Sequence, residues 1–254
     1  MSKIVSVHSF RGGTGKSNTT ANLAAVLAAQ GRRVGVVDTD IQSPGIHVIL
    51  GLDVGAADHA LNDYLFGRCA IADCAYDVTA RVDPTLPGKI FLIPSSTNPG
   101  EISRVLKDGY NTNQLALGFR SIIETLDLDL LLIDTHPGLN EETLLSIVVS
   151  HAVVIVFRPD QQDYEGTGVT VHVAKELEVP RIALVVNKSP ATFDPAVVRE
   201  RVEHAYDCPV VAVLPHSDAM MALGSAGLFS LLHPEEELST EFVRVADYVR
   251  REAG

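Results

Sequence analysis

Between Ser9 and Asn18 the chain reads Ser-Phe-Arg-Gly-Gly-Thr-Gly-Lys-Ser-Asn, with three glycines crowded ahead of a Lys-Ser pair. The run follows a short apolar segment, Ile4 to Val7, and precedes an Ala- and Leu-rich segment from Lys16 to Gln30. Glycine lets successive backbone N–H groups turn inward, and a helix starting near the Lys adds the partial positive charge of its N-terminus. Such a cradle suits the phosphates of a nucleotide. Lys16 is placed to bridge β- and γ-phosphates, and the Ser17 hydroxyl to ligate Mg²⁺. The strict pattern Gly-x-x-x-x-Gly-Lys-Ser/Thr is broken, because Phe10 stands at its first position.

Carboxylates recur at the ends of later apolar runs. Asp38 and Asp40 follow Arg33 to Val37, ahead of Gln42-Ser43-Pro44-Gly45. Asp134 follows Leu128 to Ile133 and leads into Thr-His-Pro-Gly. An acid at the end of an apolar strand binds Mg²⁺ in phosphoryl-transfer sites. Ile182 to Val186 ends in Asn187-Lys188, and an Asn there offers donor and acceptor to a purine edge. Position 190 is Pro, so the Asn-Lys-x-Asp arrangement that reads guanine is missing and adenine is favoured. Val210 to Leu214 ends in Pro215-His216-Ser217-Asp218, where Ser217 or Asp218 also suits a helix N-cap.

These residues need strands to carry them. The apolar runs, with Ile90 to Ile93 and Val153 to Phe157, lack polar alternation, which is expected when helices cover both sheet faces. Strand and helix alternate, so the fold class is α/β: a doubly wound, mostly parallel sheet with helices on both faces. Asp53 to Pro87 is the least regular stretch, reading as helices and loops between strands. A helix from about Thr240 to Arg251 closes the chain, and residues 1–254 are expected to form a single domain.

The 254 residues hold 20 Lys+Arg against 32 Asp+Glu, a net charge of −12 that disfavours default attraction to DNA or anionic lipid. With 46% hydrophobic and 20% charged residues, wholesale disorder is excluded. No apolar stretch is long enough for a transmembrane helix, and no signal peptide is expected at the N-terminus. Cys69, Cys74 and Cys208 include no Cys-x-x-Cys pair, which suits a reducing cytoplasm.

Arg11-Gly-Gly-Thr-Gly-Lys-Ser17 resembles the deviant P-loop of the ParA/MinD family of dimerising ATPases, a P-loop NTPase fold. Arg11 stands where that family has its signature Lys, which reaches the partner subunit's nucleotide across the dimer. Asn18 stands where a second Thr contacts the α-phosphate. Asp38-Thr-Asp40-Ile-Gln42 is similar to the family's D-x-D-x-Q element. The resemblance implies that Asp40 orients the attacking water and Asp38 lies near the Mg²⁺ shell. It implies that Asp134 is the Walker B acid, that Pro137-Gly138 belong to switch II, and that Asn187 contacts adenine under a loop from Pro215 to Asp218.

The resemblance therefore implies a Mg-ATP-dependent ATPase that dimerises on ATP and positions a cargo through an adaptor or activator protein. Lys16, Asp40 and Arg11 would serve hydrolysis. Gly12, Gly13, Thr14, Gly15, Lys16, Ser17, Asn18, Asn187, Pro215 and Asp218 would hold ATP, and Ser17, Asp38 and Asp134 the Mg²⁺. His136 is expected to hydrogen-bond within the switch rather than shuttle protons. The acidic tail from Glu235 speaks against membrane anchoring. Nonspecific DNA binding needs a local patch, for which Arg199, Arg201, Arg244, Arg250 and Arg251 are the candidates. A Cys-held iron–sulfur cluster is not expected. Two other readings stay open: an ATP-dependent ligase of the dethiobiotin or cobyrinate type, and a non-hydrolysing ATP-binding regulatory module.

Overall fold

The structure, a computed structural model, describes residues 3–252. Its strands are β1 (Lys3–His8), β2 (Arg33–Asp38), β3 (Tyr76–Asp77), β4 (Lys89–Ile93), β5 (Leu130–Asp134), β6 (Ala152–Phe157), β7 (Ile182–Ser189) and β8 (Val210–Pro215). They form one sheet in the order β3-β4-β2-β5-β1-β6-β7-β8. Neighbours run parallel except at the edge, where β3 pairs antiparallel with β4. The longer helices are α1 (Lys16–Ala29), α2 (Pro99–Asp108), α3 (Thr112–Thr125), α4 (Glu141–Val148), α5 (Gln161–Glu176), α6 (Pro195–Tyr206), α7 (Asp218–Leu223) and α8 (Glu237–Glu252).

The unalternating strands are explained by the two cores. Val5, Val7, Val34, Val36, Leu130 and Leu132 join the core on the α1 side. Their sequence neighbours Ile4, Val37, Leu131 and Ile133 join the core on the opposite face. Successive side chains point to opposite faces, so burial on both demands apolar residues throughout. Helix α1 is buried along nearly its whole length, packed on the sheet and against α8. Phe242, Val245, Ala246 and Val249 supply the buried face of α8. Truncating Phe242, 1% exposed, to Ala would cost about 3–5 kcal/mol.

The elements depart from the sequence expectation at their edges. Strand β5 starts at Leu130 rather than Leu128, because Asp127, at φ 49, turns the chain out of α3 and Leu128 N bonds back to Ile123 O. The stretch Asp53 to Pro87 carries short helices, as expected, and also β3, whose two residues are too few to show a period. Strand β7 continues past Val186 to Ser189, carrying Asn187 and Lys188. Among the described residues, no helix is long and apolar enough to cross a membrane.

Candidate functional site

The loop between β1 and α1 is shaped by Gly13 and Gly15, whose φ values of 79° and 95° lie in the left-handed region. Gly15 is the N-cap of α1, with no side-chain cap and no acid in the first turn. Other helices are capped by Asn98, Asn111, Asn140, Asp160, Asp194 or Ser217. The N-terminus of α1 thus keeps its free N–H groups and partial positive charge for an outside anion. Gly12 and Gly13 are exposed, Ser17 and Asn18 are half-buried, and the buried Thr14 hydroxyl has no hydrogen-bond partner.

Strand register assembles the acids. Asp38 pairs with Asp134 across β2 and β5, and Asp134 pairs with Val7 across β5 and β1. Three strands therefore end level beneath the glycine loop. Lys16 Nζ lies 2.8 Å from Asp134 Oδ1, with both side chains buried. The Thr20 hydroxyl lies 3.1 Å from the same oxygen. Asp38 is wrapped by its own loop, accepting from Asp40 N at 3.0 Å and Gly45 N at 3.3 Å. Burial, and then the Asp134 charge, hold the Asp38 carboxyl well above the usual carboxylate range. Burial also raises Asp40, against the pull of Lys16 and His136.

His136 Nδ1 lies 2.6 Å from Pro137 O, so that nitrogen donates. Its Nε2 faces Asp40 Oδ1 at 3.8 Å. The Asp134–Gly138 segment is braced on both sides: Gly138 N donates to Ser9 O at 3.0 Å, and the Thr143 hydroxyl to His136 O at 3.2 Å.

On the far side of the loop, Asn187 and Lys188 grip two consecutive carbonyls. Asn187 Nδ2 donates to Thr14 O at 2.7 Å, and Lys188 Nζ to Gly13 O at 2.9 Å. Gly15 is pressed so close to Asn187 that a Cβ would lie 2.3 Å from Nδ2. Asn187 Oδ1 also accepts from Lys188 N. Asn187 is thus a brace of the loop, with one N–H and one lone pair left over. It opens on a cavity of about 350 Å³ that Gly15, Asn18, Pro215 and Ser217 also line.

Not every expected residue is gathered there. Ser217, not Asp218, caps α7, accepting from Met220 N. The Asp218 side chain is 97% exposed and pairs with His216 Nε2 at 3.2 Å, outside the cavity lining. Arg11 lies at the loop's outer arm, where Nη1 donates to Gln162 Oε1. Arg199, Arg244, Arg250 and Arg251 line one cleft of about 480 Å³ beside β8. Arg201 lines a separate groove between α5 and α6. Cys69 Sγ and Cys74 Sγ lie 3.4 Å apart as free thiols, and Cys208 belongs to a different core.

Sequence reasoning missed His8, Thr20, Lys188 and Gln162. His8 is fully buried, and burial, then the charge of Lys16, lowers its pKa to about 3. The Thr135 hydroxyl donates to Val7 O and so accepts from His8 Nδ1, leaving Nε2 unpartnered. A His ending an otherwise apolar strand was the available signal. Gln162 had none, since its role depends on how α5 meets the loop.

Two carboxylates and a hydroxyl are hard oxygen donors, the set that suits Mg²⁺, which keeps several waters and takes few protein ligands. Among the described residues, no group of three or more His, Cys, Asp or Glu is arranged to hold a metal unaided. The chemistry assembled is that of phosphate binding: a glycine cradle, an uncapped helix N-terminus, a buried lysine and level carboxylates.

Known proteins resemble this chain in sequence and in fold. The MinD septum site-determining protein of Synechocystis is 26% identical over 259 residues, covering all of this chain and 90% of that one. An iron-sulfur cluster carrier protein of Methanococcus maripaludis is 32% identical over 193 residues, covering 74% of this chain and 61% of that protein's length. The structure of MinD complexed with Mg-ADP from Pyrococcus horikoshii superposes with a TM-score of 0.82 at 23% identity, covering 100% and 98% of the two chains. A family model described as AAA domain matches residues 2–182. The chain belongs to the AAA domain family.

Proposed function

We propose that this chain is a Mg-ATP-dependent ATPase whose ATP-bound form dimerises, a switch that positions a cargo through an adaptor or activator protein. The observation that carries the reading is the level arrangement of Asp38 and Asp134 beneath the uncapped N-terminus of α1, with Lys16 paired to Asp134. The loop N–H groups and Lys16 bind the phosphates, and Ser17, Asp38 and Asp134 hold the Mg²⁺, which neutralises phosphate charge when bound. The adenine occupies the cavity beside Asn187 and Pro215. Asp40, 13% exposed at the site's rim, orients the attacking water. Arg11 adds positive charge from the outer arm of the loop, in the role of the signature Lys. Lys16 must leave Asp134 for phosphate when the nucleotide enters, so the ion pair with Asp134 reserves the lysine in place.

Nonspecific nucleic acid fits this reading as a platform. The cleft of Arg199, Arg244, Arg250 and Arg251 supports it, although Glu241 and Asp247 pair with two of the four.

ATP turnover and size-exclusion light scattering test the proposal together. Lys16→Ala is expected to abolish hydrolysis, and Asp40→Ala to keep ATP and accumulate the dimer. Turnover in the Lys16 variant overturns the site assignment. A monomer with ATP in both wild type and Asp40→Ala overturns the switch. Stimulation by a small carboxylic acid rather than by protein or DNA would point to the ligase chemistry instead.

A further inference from the structure

Helix α5 lies beside the phosphate loop, and its first turns face the loop's outer arm. Gly166 lies three residues after Asp163 and four after Gln162, one turn along the helix from both. Gly166 sits beneath Phe10: a Cβ there would lie 2.2 Å from Phe10 Cδ1, so the ring lies directly on the helix backbone. The next residue, Arg11, gives its guanidinium to Gln162 Oε1. The arm is secured further by Ser9 Oγ, which donates to Arg11 O at 2.9 Å.

Asp163 is the nearest acid, yet Arg11 Nε remains 4.0 Å from its Oδ1. Asp163 is already engaged by Arg158, through the backbone N at 2.9 Å and Nε at 3.0 Å. Arg158 thus takes up the buried carboxylate, and Arg11 is left with an amide for its hydrogen bond. An amide fixes the direction of a guanidinium without offsetting its charge, whereas a carboxylate does both.

We propose that Gln162 is the positioning residue of Arg11: from the first turn of α5 its amide directs the guanidinium at the loop's outer arm, where the long 4.0 Å ion pair with the Arg158-bound Asp163 and a neutral hydrogen bond leave it free to move to phosphate. This rests on the reading of the site as one for ATP. The residue type at 162 then sets how readily Arg11 is released to its phosphate partner. An amide yields it. A carboxylate would retain it as an ion pair.

The test is steady-state ATPase kinetics of Gln162→Glu, Arg11→Ala and the double variant, with ATP binding followed by a fluorescent ATP analogue. Gln162 is exposed, so its substitution should leave the melting temperature unchanged. Gln162→Glu is expected to lower kcat about fivefold, the scale of one exposed ion pair, with KM little changed. In the Arg11→Ala background the same substitution should have no further effect. Wild-type kcat in Gln162→Glu, or an equal further loss in the Arg11→Ala background, overturns the positioning role while leaving ATP turnover intact. A wild-type chain that binds no ATP overturns the reading of the site and this proposal with it.

Discussion

Lys16 Nζ and Asp134 Oδ1 stand 2.8 Å apart with side chains 6% and 1% exposed. Removing one partner of such a pair leaves the other buried and uncompensated, which costs more than the pair is worth. Lys16→Ala should therefore lose about 3 kcal/mol of stability to urea as well as all turnover. The double variant Lys16→Met with Asp134→Asn should recover most of that stability and none of the activity. Parallel urea titrations and phosphate-release assays separate the two effects.

His8 makes the protein sensitive to acid. Its imidazole takes a proton near pH 6.5 when unfolded and only near 3 when folded, chiefly because burial disfavours the charged form. The contribution is complete above about pH 6.5 and is lost as pH falls toward 3, amounting to about 2 kcal/mol by pH 5. His8→Gln should flatten that part of the profile. Urea unfolding at about pH 7 and pH 5 would refute this if wild type and variant lose stability in parallel.

Asn187 and Lys188 hold the Thr14 and Gly13 carbonyls outward, which leaves the loop's N–H groups facing the cradle. Lys188→Met should weaken binding of a fluorescent ATP analogue about tenfold, the worth of one charge-assisted hydrogen bond, with little change in melting temperature. Because Lys188 sits at φ 56, Lys188→Gly should match it in affinity loss without further loss of stability. Unaltered affinity in both variants would show the loop to be rigid without its clamp.

The arginine cleft predicts a salt signature. If it meets phosphates, Arg199→Glu and Arg250→Glu should each weaken DNA retention and reduce the slope of log K against log salt by about 1. Arg201→Glu, in the separate groove, is the control and should leave the slope alone. Equal effects at all three positions would point to net charge rather than to the cleft.

Much of this site was legible because its signals are local in sequence. Unalternating Val and Ile runs gave a doubly covered sheet, and Asp38 and Asp134 end their strands as such acids must to share an edge. What escaped were relations made across the chain. Asn187 meets Thr14 O over 173 residues and Arg11 meets Gln162 over 151. No spacing encodes either. The arginines show both sides: sequence named five, and packing of α6 and α8 against β8 brings four together while Arg201 lines a separate groove. Asp218 lies in solvent for a local reason, since Ser217 takes the cap.

The level ends of β1, β2 and β5 decide which sequence changes this site survives. Asp38 and Asp134 face each other as hydrogen-bond register partners, not by loop conformation. Lengthening a surface loop moves neither. Inserting one residue within β2 shifts Asp38 by about 3.3 Å and turns it to the other face of the sheet. Insertions and deletions should therefore accumulate in segments such as Asp53 to Pro87, while the strand lengths under the phosphate loop stay constant to the residue.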